Sequence, residues 1–154
     1  MAVDPLTPTL PGRPLRVLVI DAHPAVGHGL VGLLGIMPGV QVCALATRRE
    51  DGLLCAGQTR PDVVLVDAEL PGGAALSTAR QLRGCLPAAR VVALGLYPDR
   101  RAAMLAAGAH AFVLKDAGFE ALYAAIVAGH LSTSTCATDG DSASARTPGS
   151  VRSS

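Results

Sequence analysis

Apolar residues fall in short unbroken runs along the chain: LRVLVID (15–21), DVVLVD (62–67) and RVVALG (90–95), with weaker runs VQVCALA (40–46) and AHAFVLK (109–115). Runs of Val, Leu and Ile that do not alternate with polar residues suit strands buried on both faces, as in a parallel sheet. Between them lie segments with Ala and Leu at helical spacing, over 25–36, 49–58, 74–84, 99–107 and 117–129. Pro and Gly mark the joints, at Pro38-Gly39, Pro71-Gly72-Gly73, Pro87, Pro98 and Gly108. Five strands alternating with five helices predict an α/β domain with a parallel sheet and right-handed crossovers. On the first helix, Val26, Leu30 and Leu33 form the stripe expected to pack on the sheet. Gly27, His28, Val31 and Gly35 are expected on its opposite side, with no charge among them.

Composition narrows this picture. The 154 residues suffice for one domain with a proper core, packed by Ala, Val and Leu because there is no Trp and only two Tyr and two Phe. Residues 15–130 carry all the periodic pattern. Residues 1–14, with four Pro and no apolar run, are expected as a disordered arm that does not suit a secretory signal. Residues 131–154 are rich in Ser, Thr, Ala and Gly and are expected as a disordered tail. A net charge of +1 advertises no nucleic acid or anionic membrane as partner. Residues 22–47 carry no formal charge, but two Pro and five Gly interrupt them, so a membrane span is not expected. Cys43, Cys55, Cys85 and Cys136 are dispersed, without zinc-ligand spacing, which fits a reducing, cytoplasmic setting.

Three charged residues then claim the candidate chemistry. Asp21, Asp67 and Lys115 each follow an apolar run, so each is delivered to the same rim of the sheet, where open α/β folds bind ligands. Lys115 is the only Lys beside twelve Arg. A compact ammonium kept in so Arg-rich a chain suggests a need for a point charge rather than a planar fork. No G-x-G-x-x-G follows the first strand, which argues against dinucleotide binding. No second Asp follows Asp67 at i+2, as an aspartate-nucleophile hydrolase would want. His23 belongs to a loop pattern and His28 to a helix, so neither is expected as a metal ligand.

The motifs VLVIDAHP, DVVLVDAELPGG and GAHAFVLKD resemble, in order, the acidic-pair strand, the phosphoacceptor strand and the Lys strand of response-regulator receiver domains, of the NarL/FixJ type. The resemblance covers roughly residues 15–130. It implies a flavodoxin-like (βα)5 three-layer sandwich with strand order 2-1-3-4-5. It also implies Asp67 as phosphoacceptor, Lys115 as phosphoryl contact, and a Mg²⁺ site from Asp21, Asp67 and the backbone carbonyl of Glu69. A sensor histidine kinase or phosphotransfer protein would be the phosphoryl donor. The protein would then be no enzyme beyond catalysing its own phosphorylation and dephosphorylation.

Two positions depart from that pattern. Ala22 stands where the second acid of the pair is usual, and Gly95 where a Thr or Ser ends the fourth strand. Phe112 occupies the aromatic switch position without a hydroxyl partner to follow. These losses predict weak, even lost, Mg²⁺ binding and weakened phosphorylation in a signalling receiver tied to transcription regulation. A phosphorylation-independent module that binds a protein or small ligand is the alternative. The charge-poor first and last helices are expected to form a homodimer or partner contact, with no direct nucleic-acid or membrane binding by this chain.

Overall fold

The computed structural model describes residues 12–130. The expected tail 131–154, and residues 1–11 of the expected arm, lie outside the described residues. Chain order is β1 (Leu15–Ile20), α1 (Pro24–Leu34), β2 (Val40–Ala46), α2 (Arg49–Thr59), β3 (Val63–Asp67), α3 (Ala74–Cys85), β4 (Arg90–Gly95), α4 (Arg101–Ala106) and β5 (Ala111–Leu114). A last helix, α5, runs over 119–130. The strands form one parallel sheet in the order β2-β1-β3-β4-β5, as the resemblance implied.

The central strands are buried along their length, apart from the half-buried Arg16 of β1 and Arg90 of β4, because helices cover both faces. Val17, Val19, Val63, Leu65, Val92 and Leu94 point to one face, under α1 and α5. Leu18, Ile20, Val64, Val66, Val91 and Ala93 point to the other, under α2, α3 and α4. The β1–β2 register slips between Val17 and Leu18, so that Val17 pairs with Val42 but Leu18 pairs with Ala44. The extra residue, Cys43, lets β2 send both Cys43 and Ala44 to the α2 side.

Local chemistry sets the joints. Pro24 opens α1, where a missing N–H costs nothing. Glu50 and Asp51 sit in the first turn of α2, where the helix dipole favours acids. Before β1, Arg13 bonds Asp62 through two nitrogens, at 2.7 and 2.8 Å.

Two expectations need correction. The fourth helix is shorter than 99–107: a 3-10 turn over Pro98–Arg100 precedes an α-helix of only Arg101–Ala106. Its anchor is the buried Met104, and Gly108, at φ +118, closes the turn that follows. On α1 the inward face is rotated by one residue from that expected. Gly27 and Leu34 are the buried positions, Leu30 and Leu33 pack partly, and Val26 is 39% exposed. Gly27 lies inward because Leu45 of β2 fills the space beside it, 2.9 Å from where a Cβ would stand.

Candidate functional site

Three strands deliver the site to one rim. Asp21 is the first residue past β1, its N–H bonded to Ala46 O at 3.0 Å. Asp67 is the last residue of β3, and Lys115 the first past β5, its N–H held by Gly95 O at 2.8 Å. Because β1 and β3 are neighbours, the two carboxylates meet directly. Lys115 starts two strands from Asp67, and its long stem carries the ammonium to 3.0 Å from Asp67 Oδ1 and 3.3 Å from Asp21 Oδ2. All three charges predicted from the sequence are therefore together. Both carboxylates are 1% exposed.

Each acid also closes its own turn. Asp21 Oδ1 accepts the His23 N–H at 2.9 Å, and Asp67 Oδ1 accepts the Glu69 N–H at 2.9 Å. The two acids are not equivalent. Burial pushes the Asp21 carboxyl above its ordinary range, and the charge of Asp67 adds to the rise, against the pull of the His23 N–H and Lys115. Burial acts upward on Asp67 too, but the Glu69 N–H and Lys115 outweigh it and hold that carboxyl below its ordinary range. Of the two, Asp67 is therefore held as the ionised group more firmly than Asp21. With Lys115 between them, the pair retains one negative charge.

Asp67 Oδ2 is buried with no hydrogen-bond partner among the described residues. An ionised oxygen left so is a donor for a cation or an electrophile. His23, dismissed on sequence grounds, is part of the site: its Nδ1 stands 3.6 Å from Asp21 Oδ1 and 3.6 Å from Asp67 Oδ2. Its place two residues after Asp21, inside the same turn, was the available signal. His28, by contrast, is exposed on α1. The Glu69 side chain turns to Arg100, 3.4 Å away.

The positions of departure are equally plain. Ala22 is partly buried against the core and offers no ligand atom. Gly95 ends β4 beside Phe112, whose ring occupies the space that a side chain at 95 would need.

The family described as response regulator receiver domain matches residues 17–127. The response regulator GacA of Pseudomonas viridiflava is 36% identical over 117 residues, covering 73% of this chain and 53% of that one. The chain spans about half the length of the curated relatives it matches. Among solved structures, the signal receiver domain assigned to the response regulator NarL from Mycobacterium tuberculosis superposes with a TM-score of 0.70 at 28% identity, covering 77% of this chain and 97% of that one. A response regulator from Burkholderia pseudomallei, solved with a phosphorylated aspartic acid, a calcium ion and citrate, has a TM-score of 0.65 at 26% identity, covering 73% of this chain and 66% of that one. With the sheet order, the strand-end acids and the crossing Lys already in place, these likenesses leave one family: the chain belongs to the response regulator receiver domains.

Proposed function

We propose that this chain is the receiver of a two-component signalling system, acting in the cytoplasm, in which Asp67 accepts a phosphoryl group slowly and the output bears on transcription. Receiver domains bind Mg²⁺ at an acidic pocket and partner with histidine kinases or phosphotransfer proteins, and response regulators are generally non-enzymatic signalling proteins. The observation that carries the reading is Asp67 itself: buried, held ionised, bonded to Lys115 at 3.0 Å, with one oxygen unpartnered.

The chemistry follows from that arrangement. A carboxylate oxygen of Asp67 forms a bond to phosphorus as the P–N bond of a donor phosphohistidine breaks, and the departing imidazole takes up a proton. Lys115, already beside the Asp67 carboxylate, stabilises negative charge on the transferring group. Asp21, paired with the same ammonium, orients it. Mg²⁺, when bound, supplies further positive charge against the phosphoryl oxygens. The unpartnered Asp67 oxygen fits such an ion, with Asp21 and the Glu69 carbonyl as further donors. Ala22 adds no oxygen, and this is the basis for weak Mg²⁺ binding and slow transfer.

Labelling with acetyl phosphate and Mg²⁺ tests the reading. Slow incorporation that disappears in Asp67→Asn is the expected result. Ala22→Asp should tighten Mg²⁺ at least about tenfold, which is ~1.4 kcal/mol, and speed labelling with it. Absence of label in the parent and in Ala22→Asp would favour the second reading, a binding module that works without phosphorylation. The observation behind that second reading is the Gly95–Phe112 packing, which leaves no hydroxyl to be drawn toward a phosphate. We further propose a homodimer or partner contact on α1 and α5, which lie on the same face of the sheet.

A further inference from the structure

The two buried acids divide their oxygens between two neighbours. Asp67 Oδ1 and Asp21 Oδ2 face the Lys115 ammonium, at 3.0 and 3.3 Å. The other pair, Asp67 Oδ2 and Asp21 Oδ1, faces His23 Nδ1, at 3.6 Å each. Lys115 therefore neutralises one side of the pair and leaves the opposite side as a donor set of two carboxylate oxygens and one imidazole nitrogen. These three ligand atoms all lie within 4.8 Å of one another. Independently of the cluster, Asp67 Oδ2 is a fully buried oxygen with no hydrogen-bond partner among the described residues, aimed at this point.

We infer that Asp21, His23 and Asp67 form a site for a borderline transition-metal cation, Zn²⁺ by the chemistry of the donors, with His23 as a direct ligand. The inference rests on reading this pocket as the cation site of a receiver, and it does not require that Asp67 be phosphorylated. Imidazole nitrogen suits zinc and its neighbours, whereas Mg²⁺ prefers oxygen alone. The spacing agrees with the donor types. Bonds of about 2.0–2.2 Å in tetrahedral geometry put neighbouring ligand atoms ~3.4 Å apart. Octahedral Mg²⁺, at about 2.0–2.1 Å, puts them ~2.9 Å apart. The two 3.6 Å separations from His23 are near the tetrahedral edge. Ala22 helps by what it lacks: no further carboxylate enters to complete an all-oxygen set. The His23 side chain is 60% exposed, so the imidazole can turn by a few tenths of an ångström, and the open side leaves a fourth position for water. Two carboxylates and one ammonium leave a single negative charge for the ion to neutralise.

Calorimetric titration of the full chain with Zn²⁺, and separately with Mg²⁺, tests the inference by comparing the parent with His23→Ala. Zinc exceeds magnesium in affinity at many sites with a nitrogen or sulfur donor, so the deciding quantity is the effect of the variant. His23→Ala should lower Zn²⁺ affinity by at least about 10–100-fold, the range that even outer partners of a metal site command, and leave Mg²⁺ affinity unchanged. Asp67→Asn should weaken Zn²⁺ as well, and serves if the first variant is poorly folded by circular dichroism. Equal Zn²⁺ binding by the parent and His23→Ala would overturn the inference, placing the zinc on other His or Cys side chains. Equal weakening of Zn²⁺ and Mg²⁺ would overturn it too, because the imidazole would then be no selective ligand. Neither result touches the labelling experiment, which uses Mg²⁺ alone and reads Asp67.

Discussion

Gly95 concentrates the question of whether the phosphoacceptor site can speak to the rest of the protein. A Cβ built on it would lie 2.5 Å from Phe112 Cζ and 2.8 Å from Cε2, far inside van der Waals contact. The ring of Phe112 therefore fills the volume of the missing side chain, and it is buried there with the core of the α2–α3–α4 face. Neither side chain carries a polar group that a phosphoryl oxygen could attract. Restoring a hydroxyl by Gly95→Ser should force the ring outward and destabilise the fold by about 1–3 kcal/mol, the usual cost of overpacking. Adding Phe112→Leu should recover most of that loss, a coupling visible in a double-mutant cycle of thermal melts. Gly95→Ser melting like the parent would contradict the inward ring. The place of Asp67 and Lys115 at one rim of the sheet was legible because each follows an apolar run, and roles for them came only with the family resemblance. His23 was harder to read, because a loop side chain has no periodicity to reveal where it points and only its place two residues after Asp21 hinted at it. The Phe112 ring was not legible, because an absent side chain at 95 says nothing about what replaces it.

At the scale of elements, the three central strands were read nearly to the residue because burial on both faces favours unbroken runs of Val, Leu, Ile and Ala. The helices were read less well, and glycine is the reason. Gly27 looked like part of an outer face, yet it is the point of closest approach of α1 to Leu45. Similarly, Gly52 lets α2 settle on β1, where an added Cβ would come within 2.6 Å of Ile20 Cδ1. Gly29 and Gly32 have nothing within 4 Å of an added Cβ. These two classes predict opposite outcomes. Gly29→Ala should raise stability by about 0.8–1.0 kcal/mol, the ordinary helix-propensity gain. Gly52→Ala should lower it, since Ile20 is wholly buried and must shift. Denaturant melts of the two single variants check the pair, and equal signs would show that the helix positions are misassigned. Helix α4 was overextended for a different reason. Pro98 favours a turn as readily as a helix start, and the 3-10 turn it opens uses up the first expected residues.

For the molecule as a whole, the open matter is what meets the α1–α5 side. The two helices cover one face of the sheet together, and Tyr123 of α5 donates its hydroxyl to Pro38 O beyond α1 at 2.9 Å. Among the described residues no helix is long and apolar enough to cross a membrane, so the uncharged stretch of α1 needs another account. Outward on α1 and just past it lie Ala25, His28, Gly29, Gly32 and Ile36, with Ile36 71% exposed and no Lys, Arg, Asp or Glu between Asp21 and Arg48. On α5 the outward Glu120 is the only formal charge from 119 to 130. A solvated helix face ordinarily carries charge, and large apolar side chains left singly in water gain nothing by position. Small residues flanking Ile36 would let a second copy approach closely, and a twofold contact would use this same patch on both copies. Ile36→Lys is the probe of this face, because Ile36 is exposed whereas Val31, expected on the same outer side, is half-buried. Light scattering on the full chain should give a dimer for the parent and a monomer for Ile36→Lys, with the melting temperature of the monomeric variant independent of concentration. A parent that scatters as a monomer at every concentration, unaltered by Ile36→Lys, would remove the homodimer and leave this face to a different protein.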